Sequence, residues 1–148
     1  DLATLVSGCV DGYQSIHKSY RSIYETPAQA VPIDGSPDHI AQMLDKLVDN
    51  AVAFGRKQGD IVVRLRRRNQ MADLSVLNWG STLPRDIANR LFDPMVSSSK
   101  DARRSHLGLG LYIARIIAEF HGGSVSAANR DANDGVIVMV SLPISLRA

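Results

Sequence analysis

The segment from Ser36 to Gly55 constrains this chain more than any other. Ile40, Met43, Leu44, Leu47, Val48, Ala51 and Val52 recur at helical spacing and make one apolar stripe. Ser36 suits a helix cap, Pro37 suits the first helical position, and Gly55 stands just past the last apolar residues. The spacing predicts a helix over residues 37–54. A stripe that wide must bury itself against another apolar surface, so the rest of the chain has to supply one.

Two more stripes of the same kind flank it. Leu2, Leu5, Val6, Cys9, Val10 and Tyr13 predict a helix over residues 2–19. Leu109, Tyr112, Ile113, Ile116, Ile117 and Phe120 predict a third, ended by Gly122-Gly123. A shorter helix is expected over residues 84–91.

Strand signals fill the intervals. Residues 60–68 and 71–78 read as a hairpin around Asn69-Gln70. In the second arm Ala72, Leu74 and Val76 share a face, and Asn78 falls on the same, core-facing side. Residues 19–24 read as a short strand broken by Thr26-Pro27, and residues 31–34 as another extended piece. Residues 124–128 and 136–142 read as closing strands, joined by an Asn/Asp/Gly-rich turn over 130–135. Residues 95–106 are polar, without period, and read as a loop. The fold class expected is α/β: a two-layer sandwich of a mixed, mostly antiparallel sheet, covered on one face by about three helices.

Length and charge narrow the function. At 148 residues the chain fits one domain, 1–148. A formal charge of +2 is too small to argue for a nucleic-acid partner. The run Arg64, Arg66, Arg67, Arg68 lacks interleaved aromatics and reads as a solvated strand face. Cys9 is alone, which excludes an internal disulfide and a Cys-rich zinc site. His17, His39, His106 and His121 show no metal-ligand spacing. No apolar run is long enough to span a bilayer, and no signal peptide is visible. The chain begins at Asp1, which reads as a piece of a longer protein.

Three features carry candidate chemistry. Lys46, Asn50 and Phe54 are four apart and stack on one face of the 37–54 helix. That face is either a solvated side or the wall of a site. Asn78 ends a core-facing run and must be hydrogen-bonded or wet. Its amide is satisfied by the turn that follows, with Gly80, or forms a pocket floor that meets a ligand amine. Gly108-Leu109-Gly110-Leu111 opens a helix, where N–H groups and the helix dipole favour an anion. The preceding loop adds Lys100, Arg103, Arg104 and His106, either as phosphate contacts or as solvated charge.

The order of these features resembles one family. Leu44-Asp45-Lys46-Leu47-Val48-Asp49-Asn50-Ala51 is similar to the asparagine box of the histidine-kinase ATP domain. Asn78-Trp79-Gly80-Ser81-Thr82-Leu83-Pro84 resembles its first glycine box, and Leu91-Phe92-Asp93-Pro94-Met95 its phenylalanine box. Residues 107–113, through His121-Gly122-Gly123, resemble the second glycine box and its helix. The group is that of gyrase, heat-shock chaperone, histidine kinase and mismatch-repair ATPases, with a Bergerat-type ATP-binding fold.

The resemblance implies roles. Asn50 would bind Mg²⁺, and Lys46 would neutralise a phosphate. Asn78, in the place of the usual Asp, would accept from the adenine amine. Gly80 would let the backbone close over the base, with Thr82 beside it in place of a second glycine. Ile87 would line the adenine pocket and Phe54 pack near the base. Residues 95–107 would form an ATP lid, bringing Lys100 and His106 to the nucleotide. Leu107, Gly108, Leu109 and Gly110 would offer N–H groups to the phosphates.

The implied cofactors are ATP and Mg²⁺. The implied partners are a phosphoacceptor hairpin, to which residues 1–19 would be the joint, and a response-regulator receiver domain. The implied place is the cytoplasmic side of an inner-membrane sensor kinase, with this domain not itself embedded. His17 lacks the surroundings of a phosphoacceptor, so the fragment is expected to bind ATP without phosphorylating itself. Lys46, Ala53, Asn78 and His106 depart from the family pattern. They keep open a second reading, a degenerate nucleotide-binding or partner-docking module.

Overall fold

A computed structural model describes residues 1–88, 90–94 and 109–147. Its strands are β1 (Arg21–Glu25), β2 (Asp60–Arg68), β3 (Met71–Trp79), β4 (Ser124–Asn129) and β5 (Gly135–Pro143). They form one five-stranded sheet in the order β1-β2-β3-β5-β4. β1 runs parallel to β2, and the other pairs are antiparallel. The helices are α1 (Leu2–Ile16), α2 (Pro37–Phe54), α3 (Arg85–Ala88) and α4 (Gly110–Phe120).

The sheet's alternation decides where the core sits. Ile61, Val63 and Leu65 of β2, Ala72, Leu74 and Val76 of β3, and Val136, Val138, Val140 and Leu142 of β5 belong to one buried cluster. The apolar stripes of α1, α2 and α4 complete it. Val62 and Leu77 point to the other face and lie outside that cluster. The hairpin closes as its spacing predicts, with Arg68 opposite Met71 and Asn69 at a φ of +56°. Arginine side chains on β2 are engaged locally: Arg64 pairs with Glu25, Arg68 with Asp73, and Arg67 donates to the Ala30 carbonyl.

α2 is built as its residues dictate. The Ser36 side chain accepts from the His39 N–H, and Pro37 occupies the first turn. α4 ends in a Schellman cap: Gly123 N–H donates to the Ala118 carbonyl (2.8 Å) and Gly122 N–H to that of Glu119 (3.0 Å). Gly122 sits at a φ of +78°, the left-handed conformation such a cap needs.

Several expectations need correction. α1 stops at Ile16 rather than residue 19, and β1 is shifted to Arg21–Glu25. Residues 31–34 form no strand. Their backbone groups pair elsewhere: Leu2 N–H donates to the Val31 carbonyl and Ser145 N–H to that of Pro32. The helix expected over 84–91 is described only as the single turn Arg85–Ala88. On α4, Ile116 and Phe120 are 46% and 78% exposed, while Ala114 and Ala118 are buried. The helix is rolled so that its small side chains enter the core beside Leu111 and Ile117.

α1 is tied to α2 by the Tyr13 hydroxyl, which donates to the Asp45 carboxylate. Burial, with Asp45 beside it, pushes that hydroxyl's pKa up from the ordinary tyrosine range. Tyr13→Phe is expected to lower stability by about 0.5–1.5 kcal/mol, the usual net value of one such bond, in urea unfolding. An unchanged midpoint would show that the bond adds nothing.

Candidate nucleotide site

The half-buried face of α2 carries Lys46, Asn50 and Phe54 in line. At one end of that line lies the mouth of α4. Its N-cap, Leu109, supplies no side-chain hydrogen bond to the first turn. The leading N–H groups of α4 therefore lack the partner a polar cap would give. Lys46 reaches this mouth: a Cβ placed on Gly110 would stand 3.9 Å from its Cδ. A lysine beside an uncapped helix N-terminus favours an anion. Thus Lys46 and Gly110 come together where the spacing alone could not place them.

At the other end of the line, α2 runs into the turn after β3. Gly55 bridges Gly80, and Arg56 N–H donates to the Trp79 carbonyl (2.6 Å). Gly80 holds a φ of +140°, and a Cβ there would stand 2.9 Å from the Arg56 nitrogen. The close approach that demands glycine here is made by the chain's own backbone. The same bridge leaves a surface cleft of about 430 Å³ lined by Phe54, Gly55, Arg56, Gly80, Ser81 and Asp134. Arg130 closes the adjoining surface, pairing with Asp134 and lying 4.0 Å over the Trp79 ring.

Asn78 lies beneath this junction. It is 2% exposed, opposite Ile61 and Val136 in the ladder, with its Cβ within 3.4 Å of a Cβ placed on Gly55. Its side-chain nitrogen is buried and has no hydrogen-bond partner among the described residues. A buried donor left unpaired is costly, so this nitrogen calls for an explanation.

Beyond Gly80 the turn is held by a residue that pattern reading passed over. Asn129, at the end of β4, accepts from Leu83 N–H (2.7 Å) and donates to the Leu83 carbonyl (3.0 Å). One amide thus fixes both backbone groups of Leu83. Leu83 and Ile87 pack against the core, and Ile87 N–H donates to the Pro84 carbonyl (3.1 Å). Thr82 is exposed on the same turn. The sequence signal for Asn129 is faint: a lone amide between a small-residue strand and a Gly/Asp turn.

The phenylalanine-box residues pack inward. Leu91 and Phe92 are buried, and Asp93 pairs with Arg115 of α4 at 3.2 Å. Lys100, His106, Leu107 and Gly108, with the lid expected over 95–107, lie outside the described residues. Among the described residues, no group of three or more His, Cys, Asp or Glu side chains is placed to hold a metal ion. None of their helices is long and apolar enough to cross a membrane.

Comparisons with known proteins agree with this fold. Adaptive-response sensory kinase SasA of Synechococcus elongatus is 27% identical over 137 residues, covering 88% of this chain and 35% of that protein. Sensor protein ChvG of Agrobacterium fabrum is 30% identical, with 100% of this chain and 27% of that protein covered. The chain therefore spans about a third or less of these relatives. Among solved structures, the catalytic domain of histidine kinase ThkA is similar at a TM-score of 0.82 and 25% identity, over 95% of this chain and 91% of that one. ThkA in complex with response regulator protein TrrA matches at a TM-score of 0.81 and 24% identity, over 98% of this chain and 41% of that one. With residues 35–146 matching the histidine kinase-, DNA gyrase B- and HSP90-like ATPases, this chain belongs to that family, on its histidine-kinase side.

Proposed function

We propose that this domain binds Mg-ATP and presents its γ-phosphoryl group to a histidine on a helical hairpin elsewhere in a parent sensor kinase. The observation that carries this reading is the single face of α2, which joins the uncapped mouth of α4 to the Asn78–Gly80 junction. A nucleotide laid along that face meets cationic and N–H groups at one end and a buried amide at the other.

Each residue then has a task. Asn78 contacts the base, with Phe54 and Ile87 as apolar walls and Gly80 and Thr82 on the turn beside it. Lys46 and the N–H groups of Leu109 and Gly110 neutralise phosphate charge, and Lys100, His106, Leu107 and Gly108 close over it from the lid. The Asn50 side-chain oxygen is a hard neutral donor suited to Mg²⁺, which keeps most of its waters and so needs no cluster of protein ligands. The ion, when bound, offsets charge on the transferring phosphoryl group. Catalysis on this reading is positioning and charge neutralisation. The acceptor histidine is its own nucleophile, so Lys46 in place of a carboxylate base is compatible with transfer.

A response-regulator receiver domain would take the phosphoryl group onward, in line with the complex captured for ThkA. Residues 1–19 would join this domain to the hairpin, and the whole would face the cytoplasm. The isolated domain is expected to bind ATP and to form no phosphohistidine. The neutral Asn78 favours one competing reading, a nucleotide-binding or docking module that transfers nothing.

Titration calorimetry of ATP with and without Mg²⁺, on the native domain and Asn50→Ala, tests the reading. Magnesium-dependent binding that weakens at least ~10-fold in the variant, the loss expected for a buried polar contact to a charged ligand, supports it. A folded native domain that ignores millimolar ATP would move the assignment to the docking module.

A further inference from the structure

The residue proposed to meet the base is an amide whose two ends are chemically different, and no hydrogen bond among the described residues holds its nitrogen in place. Asn78 is 2% exposed, yet its nitrogen has no hydrogen-bond partner among the described residues. A buried asparagine normally has its orientation set by the groups that receive its N–H bonds. No such group is present here among the described residues. Its neighbours across the ladder, Ile61 and Val136, are apolar. Rotation of the amide by half a turn therefore exchanges donor and acceptor without breaking a bond to the protein.

We infer that Asn78 makes this site accept 6-oxopurine nucleoside triphosphates as well as ATP. The inference rests on the proposed reading of Asn78 as the residue that meets the base. A 6-aminopurine offers an N–H donor at position 6 and an acceptor at N1. Asn78 matches it with its oxygen on the amine and its N–H on N1. A 6-oxopurine offers the reverse, an acceptor at position 6 and an N–H donor at N1. The turned amide matches that equally well. A carboxylate at position 78 accepts only, so it would face the 6-oxo group with lone pairs and reject it. The exchange of Asp for Asn thus removes a selective element and leaves a buried donor that either base satisfies.

Inosine triphosphate is the probe, because its base differs from adenine only at position 6 and the N1 proton. Calorimetry would compare its Mg²⁺ complex with Mg-ATP on the native domain and on Asn78→Asp, with circular dichroism to verify folding. The native domain is expected to bind the two within ~10-fold of each other, and Asn78→Asp to widen the ratio by at least ~10-fold, the discrimination that one misplaced polar group supplies. Signals of the Asn78 side-chain amide in a ¹⁵N-labelled native sample should shift with either nucleotide.

If ATP binds and inosine triphosphate is more than ~10-fold weaker on the native domain, the inference falls and the kinase reading stands. An unchanged ratio in folded Asn78→Asp also overturns it, by removing Asn78 from base selection. If the variant does not fold, the native ratio and the amide signals decide. A native domain that binds neither nucleotide overturns both readings together.

Discussion

Leu47→Ala is expected to cost the domain about 2–5 kcal/mol, the range for emptying a leucine site in a packed core. Leu47 is fully buried at the middle of α2, in the cluster that joins that helix to the sheet and to α4. Removing its terminal carbons loses their transfer energy and leaves a cavity between rigid layers that cannot collapse on it. Urea unfolding should show a lower midpoint with an unchanged slope. Phe120→Ala is the control. Phe120 is 78% exposed, touching His39 and His121 edge-on, so its loss should change stability by no more than about 0.5 kcal/mol. Equal effects at the two positions would mean that α4 is rolled the other way.

Asn129→Ala is expected to cost about 1–3 kcal/mol, because it leaves Leu83 N–H and C=O without their partners in a part-buried position. The loss should reach the nucleotide as well. Leu83 leads into the turn that carries Ile87, so its release loosens one wall of the proposed base pocket. ATP affinity in calorimetry should fall together with the melting temperature. Asn129→Asp separates the two bonds: a carboxylate still accepts from Leu83 N–H, but it meets the Leu83 carbonyl with a lone pair. Asp should therefore recover only part of what Ala loses. A full recovery would mean that the second bond contributes nothing.

The sheet and α2 were legible in the sequence because their signals are local. Ser36-Pro37 and Gly55 bound α2 in one unbroken pattern, and the alternation around Asn69-Gln70 sets the hairpin register. The rotation of α4 was not legible, because alanines carry little signal on a hydropathy stripe. Ala114 and Ala118 are buried for their small size against neighbouring elements, a property of the partner surfaces rather than of α4. Residues 31–34 show the same limit. Val31 is apolar and buried, but its backbone bonds go to α1, which pattern reading cannot foresee. Of the proposed site, Lys46, Asn50, Phe54, Asn78 and Gly80 were readable as motif positions. Asn129 was not, since its task is defined by a turn far away in the chain.

The single face of α2 has a metric consequence. Lys46 and Phe54 are separated by about 12 Å along the axis at the α-helical rise. On the proposed reading, a rigid rod therefore sets the interval between the anion end and the base end. Ligand length becomes a selected property: a nucleoside monophosphate anchored at Asn78 would stop short of Lys46, and free triphosphate would fill only the far end. One residue inserted between Asn50 and Phe54 would turn the base end by about 100° relative to the phosphate end. The two half-sites would each survive, but no single molecule would span them.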